Sequence, residues 1–420
     1  MPATIINTQV IIVGAGPAGA GVSFFLSKAC VSHIVVDKAL FPRDKVCGDA
    51  CSGKTALVIN RANPNWLNEI HLAQNNFMPS WGIKFVAPNG KDIDIPFSAQ
   101  KNTKNQAPGF TVSRLVFDNF LFDKMQESTF CKIYQEAEII KVNRESDSTI
   151  SLKFNQYNKS FILNAPLIVA ADGDKSIVRK SLFNFKFNPK NYSVGLRAYY
   201  QGITHFNNEN FIELHFLKEL LPGYLWIFPL PNGMANVGVG ILSETVKKKK
   251  INLRQKLAHA IANNPNINYR FKDAKLIGKI QGWGLPMATV NQPISSNNVL
   301  LCGDAASLID PFSGEGIGNA LYSGMLAADA ILHCLEQKDF TEFFIRRHYD
   351  NVLFKRLGDE LRISNALQQL CRFSFLFNFV VNKAKKSPEL KNTISSMFTN
   401  LDLRDQLRKP SFYLKILFNK

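Results

Sequence analysis

The sequence has no long uninterrupted apolar stretch, although 46% of its 420 residues are hydrophobic. A helix that spans a bilayer needs about 20 consecutive apolar residues, so we expect no transmembrane helix. The opening residues, MPATIINTQV, lack the basic start and apolar centre of a secretory signal. These absences predict a cytoplasmic protein, either free in solution or bound peripherally at the inner face of the membrane.

Histidine and cysteine are scarce, with seven of each, and neither shows the spacing of a metal site, so we expect no metal ion. An odd number of scattered cysteines does not form a secreted disulfide framework. Acidic residues are outnumbered, 33 against 50 basic ones, and the net charge is +17. Such a charge favours anionic partners, including lipid headgroups. Because no nucleic-acid-binding motif is present, nucleic acid is not expected as a partner.

The first 38 residues follow the pattern of a dinucleotide-binding βαβ unit. An apolar run at 9–13 predicts a buried strand, which leads into a glycine-rich turn and a helical pattern. The glycines of that turn permit a tight bend, close approach of a diphosphate and close helix–strand packing. A second predicted strand, 33–36, ends on an acid that can bind a ribose. This pattern fits NAD or FAD equally well, and its expected cofactor contacts are Gly14, Gly16, Pro17, Ala18, Gly19, Asp37 and Lys38.

Two later segments repeat the arrangement of a buried strand that ends on an aspartate, at 167–174 and 299–306. The second continues into a glycine-rich loop at 311–318 and a helix predicted over 321–331, whose N-terminus can stabilise negative charge. With the Arg-x-x-x-Asp segment at 114–118, these motifs resemble the FAD-binding signature of the para-hydroxybenzoate hydroxylase-like flavoproteins. The resemblance implies FAD as cofactor, held also by Arg114, Asp172, Gly173, Gly303, Asp304, Pro311, Gly314, Gly316, Ile317 and Gly318.

Two more segments resemble the geranylgeranyl reductase family of FAD-dependent oxidoreductases. Residues 45–48 match its Lys-x-Cys-Gly stretch, and residues 224–229 match its Tyr-x-Trp-x-Phe-Pro motif, although the leading proline stands one residue nearer the tyrosine here. The resemblance implies that Lys45, Cys47 and Gly48 lie beside the flavin and that Tyr224, Trp226, Phe228 and Pro229 line a lipid cavity.

The residues support this interpretation independently. Tyr224, Trp226 and Phe228 alternate, so on a strand they point to one face. Such a face is often ordinary core, but the next predicted strand carries Gly238 and Gly240, which leave room beside bulky rings. An apolar wall next to a flavin suits a substrate that is mostly hydrocarbon.

These motifs predict an α/β protein with a discontinuous Rossmann-type FAD-binding domain, an antiparallel substrate-domain sheet and a helical C-terminal region. We expect the FAD-binding domain at 1–80, 106–184 and 286–335, the substrate domain at 81–105 and 185–285, and the helical region at 336–420. The last region is basic and rich in phenylalanine, notably at 372–386 and 404–418. Such segments suit the surface of an anionic bilayer, and a helical cap over the substrate domain explains them equally well.

The expected reaction is the reduction of carbon–carbon double bonds in a prenyl, geranylgeranyl-type chain by hydride from reduced FAD. The proton comes from Cys47, the candidate catalytic residue, or from a water. A monooxygenase that hydroxylates or epoxidises an apolar or aromatic substrate is the alternative. The Cys47 and Cys51 pair loosely resembles that of disulfide reductases, but the second GxGxxG motif of those enzymes is missing. Electrons must therefore come from transiently bound NAD(P)H or from a reduced ferredoxin-type protein.

Overall fold

A parallel six-stranded sheet forms the centre of the protein. The structure is a computed structural model that describes residues 3–97, 106–146, 149–183, 189–289, 292–388 and 391. Neighbouring strands of this sheet, which we call the nucleotide sheet, run parallel except for the Ser295–Ser296 edge. Helices and the strands of a four-stranded sheet pack against it, so its strands are buried, continuous apolar runs. In spatial order they are Ser295–Ser296, Val299–Leu301, Leu167–Ala170, Val10–Val13, His33–Val36 and Cys131–Tyr134.

Two long helices pack together against the nucleotide sheet. Pro17–Lys28 follows the first glycine turn, and Ile317–Gln337 follows the loop at 311–318. The pair is close because side chains are absent where they cross: a Cβ on Gly21 or Gly324 would overlap backbone of the other helix. The second helix is longer at both ends than the predicted 321–331, and it begins before Gly318 rather than after it. The remaining helices of this part are Gly53–Ala62, Pro64–Leu72, Arg114–Gln126 and Ile177–Leu182.

Two smaller sheets that the sequence analysis did not predict flank the nucleotide sheet. One has four strands and joins Thr4–Asn7 in parallel to Lys159–Ala165, followed in space by Thr149–Gln156 and Glu138–Ser146. The other has three short strands, Ala50–Cys51, Gly109–Thr111 and Met78–Ser80. Strand Ala50–Cys51 of this sheet fixes the position of the chain just after Cys47.

A seven-stranded sheet lies opposite the nucleotide-binding part, and a cavity lies between the two. It is antiparallel, as predicted, apart from one parallel pair between Ile212–His215 and Gly82–Val86. Helix Leu253–Asn263 packs on its outer face, where Leu257 meets the buried side chains Leu225 and Ile227. Helix Ser243–Lys249 follows one of its strands. The strands in spatial order are Lys275–Pro286, Tyr192–Gln201, Met234–Leu242, Tyr224–Leu230, Ile212–His215, Gly82–Val86 and Asp92–Pro96.

Within the described residues, three helices follow the nucleotide-binding part: Glu342–His348, Asp350–Leu370 and Ser374–Lys386. The last, which we call the C-terminal helix, packs Phe377 on Phe216 of the seven-stranded sheet, with ring centroids 4.4 Å apart. No helix in the described part of the chain is long and apolar enough to cross a bilayer. The basic segment at 404–418 lies outside the described residues.

Candidate active site

A cavity of about 680 Å³ lies between the nucleotide sheet and the seven-stranded sheet. One end is formed by the first glycine turn, the middle by residues 43–49, and the other end by apolar side chains of the seven-stranded sheet. A polar and an apolar compartment are therefore continuous. We call residues 43–49 the cysteine loop and residues 311–318, which are expected from the sequence to contact FAD, the flavin loop.

The first glycine turn forms a cradle at the carboxyl end of Val10–Val13. Gly14 has φ +103°, and a Cβ there would overlap the backbone of Ala171. Gly16 precedes the helix, and a Cβ there would meet only the end of the Arg43 side chain, at 3.4 Å. Free helix N–H groups and the helix dipole favour an anion at this point. The cradle therefore fits the diphosphate of a dinucleotide.

Asp37 closes this end of the cavity. Its carboxylate accepts hydrogen bonds from the backbone N–H of Ala15 at 2.7 Å and of Ala39 at 2.8 Å. These bonds hold the acid at the end of His33–Val36, where carboxylate lone pairs can accept from ribose hydroxyls.

Acids at the ends of two further strands line the middle of the cavity. Asp172 accepts from the backbone N–H of Ile177 at 2.7 Å, and burial raises the pKa of its carboxyl. Asp304 forms an ion pair of 3.0 Å with Lys45 of the cysteine loop. This pair ties the second Gly-Asp motif to the Lys-x-Cys-Gly stretch, two segments more than 250 positions apart.

The flavin loop is held in shape from both sides. Asp310 accepts hydrogen bonds from the backbone N–H groups of Phe312 and Ser313, at 3.0 and 2.7 Å. On the other side, the Tyr224 hydroxyl donates to the Ser313 carbonyl at 2.5 Å. Gly314 has φ +74°, and a Cβ there would press on that hydroxyl. Strand Tyr224–Leu230, which we call the aromatic strand, thus fixes the loop that precedes the N-terminus of helix Ile317–Gln337.

Arg114 supports the cysteine loop through Asp118, whose carboxylate also binds Arg43 of that loop. Its guanidinium is 3% exposed and forms a two-point ion pair with Asp118, at 2.6 and 2.7 Å, while Arg43 binds the same carboxylate at 2.6 Å. Burial alone would raise the pKa of Asp118, but the Arg114 charge outweighs it and lowers that pKa. Burial raises the pKa of the neighbouring Cys47 thiol, so this thiol is protonated at neutral pH.

Tyr224, Trp226 and Phe228 lie on one face of strand Tyr224–Leu230 and line the apolar end of the cavity. Adjacent ring centroids are 6.3 Å apart. The Trp226 indole lies directly over Gly238 of the paired strand, where any side chain would overlap it. A Cβ on Gly48 would come within 3.0 Å of the Phe228 ring. The cysteine loop and the aromatic strand are therefore in direct contact.

Most of the cofactor and substrate residues expected from sequence line this one cavity. Four do not: Gly19 packs on the Gly14 carbonyl, Gly303 packs between the two long helices, Gly318 donates to the Glu315 carboxylate, and the Pro229 carbonyl accepts from Thr111. These four residues do not line the cavity, but they pack against or hydrogen-bond to the segments that form its walls. The residues that line it are Gly14, Gly16, Pro17, Ala18, Asp37, Lys38, Lys45, Cys47, Gly48, Arg114, Asp172, Gly173, Tyr224, Trp226, Phe228, Asp304, Pro311, Gly314, Gly316 and Ile317.

A buried polar network behind the aromatic strand was not anticipated from the sequence. Asn236 accepts from the Trp226 indole N–H and donates to the Cys47 carbonyl and to the Asp49 carboxylate, each at 2.8 Å. Tyr199 donates to the same carboxylate at 2.7 Å. These side chains come from three strands and a loop, so no local pattern identifies them. The only sequence signal is the position of Asp49 directly after the Cys-Gly pair.

Comparisons with known proteins agree with this geometry. Residues 192–281 match the geranylgeranyl reductase catalytic domain and residues 7–55 match an FAD binding domain. A menaquinone reductase of Mycobacterium tuberculosis is 26% identical over 415 residues, which cover 94% of this chain and 91% of that protein. A digeranylgeranylglycerophospholipid reductase of Methanococcus vannielii is 26% identical over 369 residues, which cover 86% and 87%.

A solved structure from Thermoplasma acidophilum, described as geranylgeranyl bacteriochlorophyll reductase-like, shares the fold. Its TM-score is 0.80 at 21% identity, covering 96% of this chain and 99% of that one. The two domain matches, the relatives and the cradle agree on the cofactor and on the class of enzyme. The chain is an FAD-dependent oxidoreductase that is similar to geranylgeranyl reductases.

Proposed function

We propose that this enzyme reduces carbon–carbon double bonds in the prenyl chain of a lipid. The observation that carries the proposal is the continuity of the cavity, which joins the dinucleotide cradle to an apolar compartment. That compartment is walled by rings and aliphatic side chains, among them Phe97, Ile212, Leu214, Trp226 and Phe312. The relatives named as reductases of menaquinone and of digeranylgeranylglycerophospholipid act on molecules with prenyl chains, which supports the same substrate class.

The geometry of the cavity wall supports a set of proposed cofactor roles. The glycine cradle would hold the diphosphate, Asp37 the ribose, and Asp304 the sugar-alcohol chain. The flavin loop and the cysteine loop, which both line the cavity, would contact the ring system. When bound and reduced, FAD supplies the hydride.

The apolar compartment makes the reaction possible by position and by exclusion of water. An isolated alkene accepts hydride poorly, so a fixed alignment matters more than any one polar contact. Trp226 and Phe228 provide rigid surfaces against which a prenyl chain can pack. Cys47 lines the cavity on the cysteine loop, and its protonated thiol makes it one candidate for the catalytic proton donor.

We infer that electrons arrive from a donor that docks transiently, either NAD(P)H or a reduced ferredoxin-type protein. The sequence holds only one GxGxxG turn between a strand and a helix, and that turn lines the FAD cavity. Anaerobic mixing of the oxidised enzyme with each donor distinguishes them. Bleaching of the flavin by NADH or NADPH identifies a nicotinamide, and bleaching by ferredoxin alone identifies the protein donor.

The C-terminal helix supports a proposal that the enzyme contacts an anionic membrane. Its inward face packs on Phe216, which stacks on Phe312 of the apolar compartment with centroids 5.8 Å apart. Its outward face exposes 66% of Phe375 and 45% of Phe379, next to Phe373. Lysines 383, 385 and 386 stand in its last turn. Exposed rings beside cations suit the headgroup region of an anionic bilayer, from which a lipid substrate must be taken.

Replacing Phe375 and Phe379 together by serine is expected to weaken binding to anionic liposomes by about tenfold, because two large apolar side chains no longer enter the bilayer surface. Sedimentation with phosphatidylglycerol vesicles at low salt measures the effect. The matched control is Phe343→Ser, since Phe343 is 79% exposed on a different helix. Equal loss in both variants, or no binding by the unaltered protein, would remove the membrane contact from the proposal.

The substrate class is tested by product analysis. Dithionite-reduced, FAD-loaded enzyme is incubated without oxygen with a geranylgeranyl lipid, and the lipid is recovered for mass spectrometry. The expected product gains two hydrogens for each flavin oxidised. An unchanged lipid, together with an oxygenated product once air is admitted, would identify a monooxygenase instead.

A further inference from the structure

Asp49 is a buried acid in the wall of the active-site cavity whose function is unassigned. Its side chain is fully buried, and it lines the cavity two residues after Cys47. Its backbone has φ +67°, a left-handed conformation that few residues other than glycine adopt. Burying a carboxyl with one oxygen left without a hydrogen-bond partner in the described part of the chain is unfavourable, which favours a functional role for this side chain.

The hydrogen bonds of Asp49 are asymmetric. Oδ2 accepts from both the Tyr199 hydroxyl, at 2.7 Å, and the Asn236 amide, at 2.8 Å. Among the described residues, Oδ1 is buried without a hydrogen-bond partner. When the carboxyl is neutral, its proton therefore belongs on Oδ1, because both donors already occupy Oδ2. A neutral Asp49 thus carries an O–H group without a hydrogen-bond acceptor among the described residues.

The groups around Asp49 leave both protonation states accessible near neutral pH. Burial raises its pKa to about 7, against the lowering effects of the Tyr199 and Asn236 hydrogen bonds and of the nearby Arg197 and Arg114 charges. Cys47 and Cys51 also face it, and burial keeps both thiols neutral at this pH. An acid whose pKa lies close to the working pH is the kind best suited to donate and then regain a proton.

The proposed reaction needs such a donor. Hydride added to one alkene carbon leaves an electron pair that must form a bond to a proton at the other carbon. A free proton is absent from a dry apolar compartment, so a side chain or a bound water has to deliver it. The Cys47 thiol is one candidate, but its raised pKa makes the thiolate left behind a costly product.

We propose that Asp49 is the acid that supplies this proton, an inference that rests on the proposed reduction of a prenyl double bond. One alkene carbon receives the hydride, and the π electrons of the bond form a new C–H bond to the proton of Asp49 Oδ1. Asp49 is left as a carboxylate, stabilised by Tyr199 and Asn236, and takes a proton from water before the next turnover. Each double bond thus consumes one hydride and one proton.

The pH dependence of lipid-dependent flavin reoxidation tests the proposal. The rate of the unaltered enzyme is expected to fall as pH rises through about 7, because the neutral acid is the active form. Asp49→Asn is expected to lower the rate by about 100-fold or more and to abolish this alkaline limb. Tyr199→Phe removes a donor that favours the carboxylate, so it should move the limb to higher pH. Cys47→Ala should leave the position of the limb unchanged.

A second readout needs neither FAD nor lipid. In the unfolded chain Asp49 ionises near 3.8, and in the folded protein near 7. Between these two pH values the folded protein keeps a proton that the unfolded protein has lost. The free energy of unfolding therefore decreases as pH rises through this range. Asparagine does not titrate, so the variant Asp49→Asn escapes this loss. Its melting temperature relative to that of the unaltered apoprotein should therefore rise by a few degrees as pH increases across this range.

The outcomes separate this inference from the proposed function. If the unaltered enzyme does not reoxidise with a prenyl lipid, the proposed function fails and the acid role fails with it. If it does reoxidise, but Asp49→Asn keeps the rate and the alkaline limb, only the role of Asp49 is overturned. A difference in melting temperature that stays constant with pH would contradict the titration of Asp49 in the folded state.

Discussion

Replacing Gly16 by alanine is expected to weaken FAD binding by about 100-fold and to leave the apoprotein folded. The added Cβ meets only the flexible end of Arg43 in the protein itself, so the fold accepts it. It stands, however, where the backbone must approach the diphosphate. Loss of one or two hydrogen bonds to a charged phosphate costs about 1.5–3 kcal/mol each. Flavin fluorescence titration of the apoprotein measures the affinity, and circular dichroism measures the fold.

Two other glycines give the contrast that this prediction needs. Gly14→Ala should destabilise the apoprotein itself, because its Cβ would overlap the backbone of Ala171 and its φ is +103°. Gly282→Ala should keep FAD affinity and cost little stability, since it lies on an edge strand and only the flexible end of the Leu196 side chain, 3.1 Å from the new Cβ, has to shift. Normal FAD affinity in Gly16→Ala would show that the diphosphate does not lie in the cradle.

Replacing Trp226 by alanine is expected to lower prenyl reduction by about 100-fold with FAD affinity nearly unchanged, because a misplaced chain loses its alignment with the flavin. The indole forms the middle of the aromatic wall and lies over Gly238, so its removal leaves a broad gap in the apolar compartment. Loss of so large a buried side chain also costs about 3–5 kcal/mol of stability. Single-turnover rates at a temperature well below the melting point separate the two effects.

Phe271→Ala is the matched control for this variant. Phe271 is equally well buried, at 7% exposure, but it packs against Tyr200 on the outer face of the same sheet, away from the cavity. Its loss should cost similar stability and leave the rate of lipid reduction within about threefold. If both variants lost the same fraction of activity, the wall would be structural, and the substrate would lie elsewhere.

The FAD-binding part was predictable because its signals are local. Each strand that carries a cofactor residue is a short buried apolar run followed within two residues by glycine or aspartate, so strand, turn and helix are visible in one window of sequence. The aromatic strand was predictable for the same reason, since alternation places Tyr224, Trp226 and Phe228 on one face. The predicted range of helix Ile317–Gln337 was too short at both ends. Its first residues belong to the glycine-rich flavin loop, and its last turn contains polar residues that interrupt the apolar pattern.

Features that depend on distant pairing were not predictable. The four-stranded sheet joins Thr4–Asn7 to Lys159–Ala165, and the parallel pair in the seven-stranded sheet joins strands more than 120 residues apart. The network around Asp49 depends on both the loop and strands Tyr192–Gln201 and Met234–Leu242. In the sequence, nothing distinguishes Tyr199 and Asn236 from other residues of their strands. Only the fold reveals that they share one buried carboxylate.

The most direct test of the central claim is anaerobic stopped-flow mixing of dithionite-reduced, FAD-loaded enzyme with a geranylgeranyl lipid while flavin absorbance is recorded. The account predicts reoxidation that depends on lipid concentration, needs no oxygen and yields one saturated double bond per flavin. Flavin that stays reduced with the lipid and is oxidised only after oxygen is admitted, with oxygen incorporated into the substrate, would contradict it.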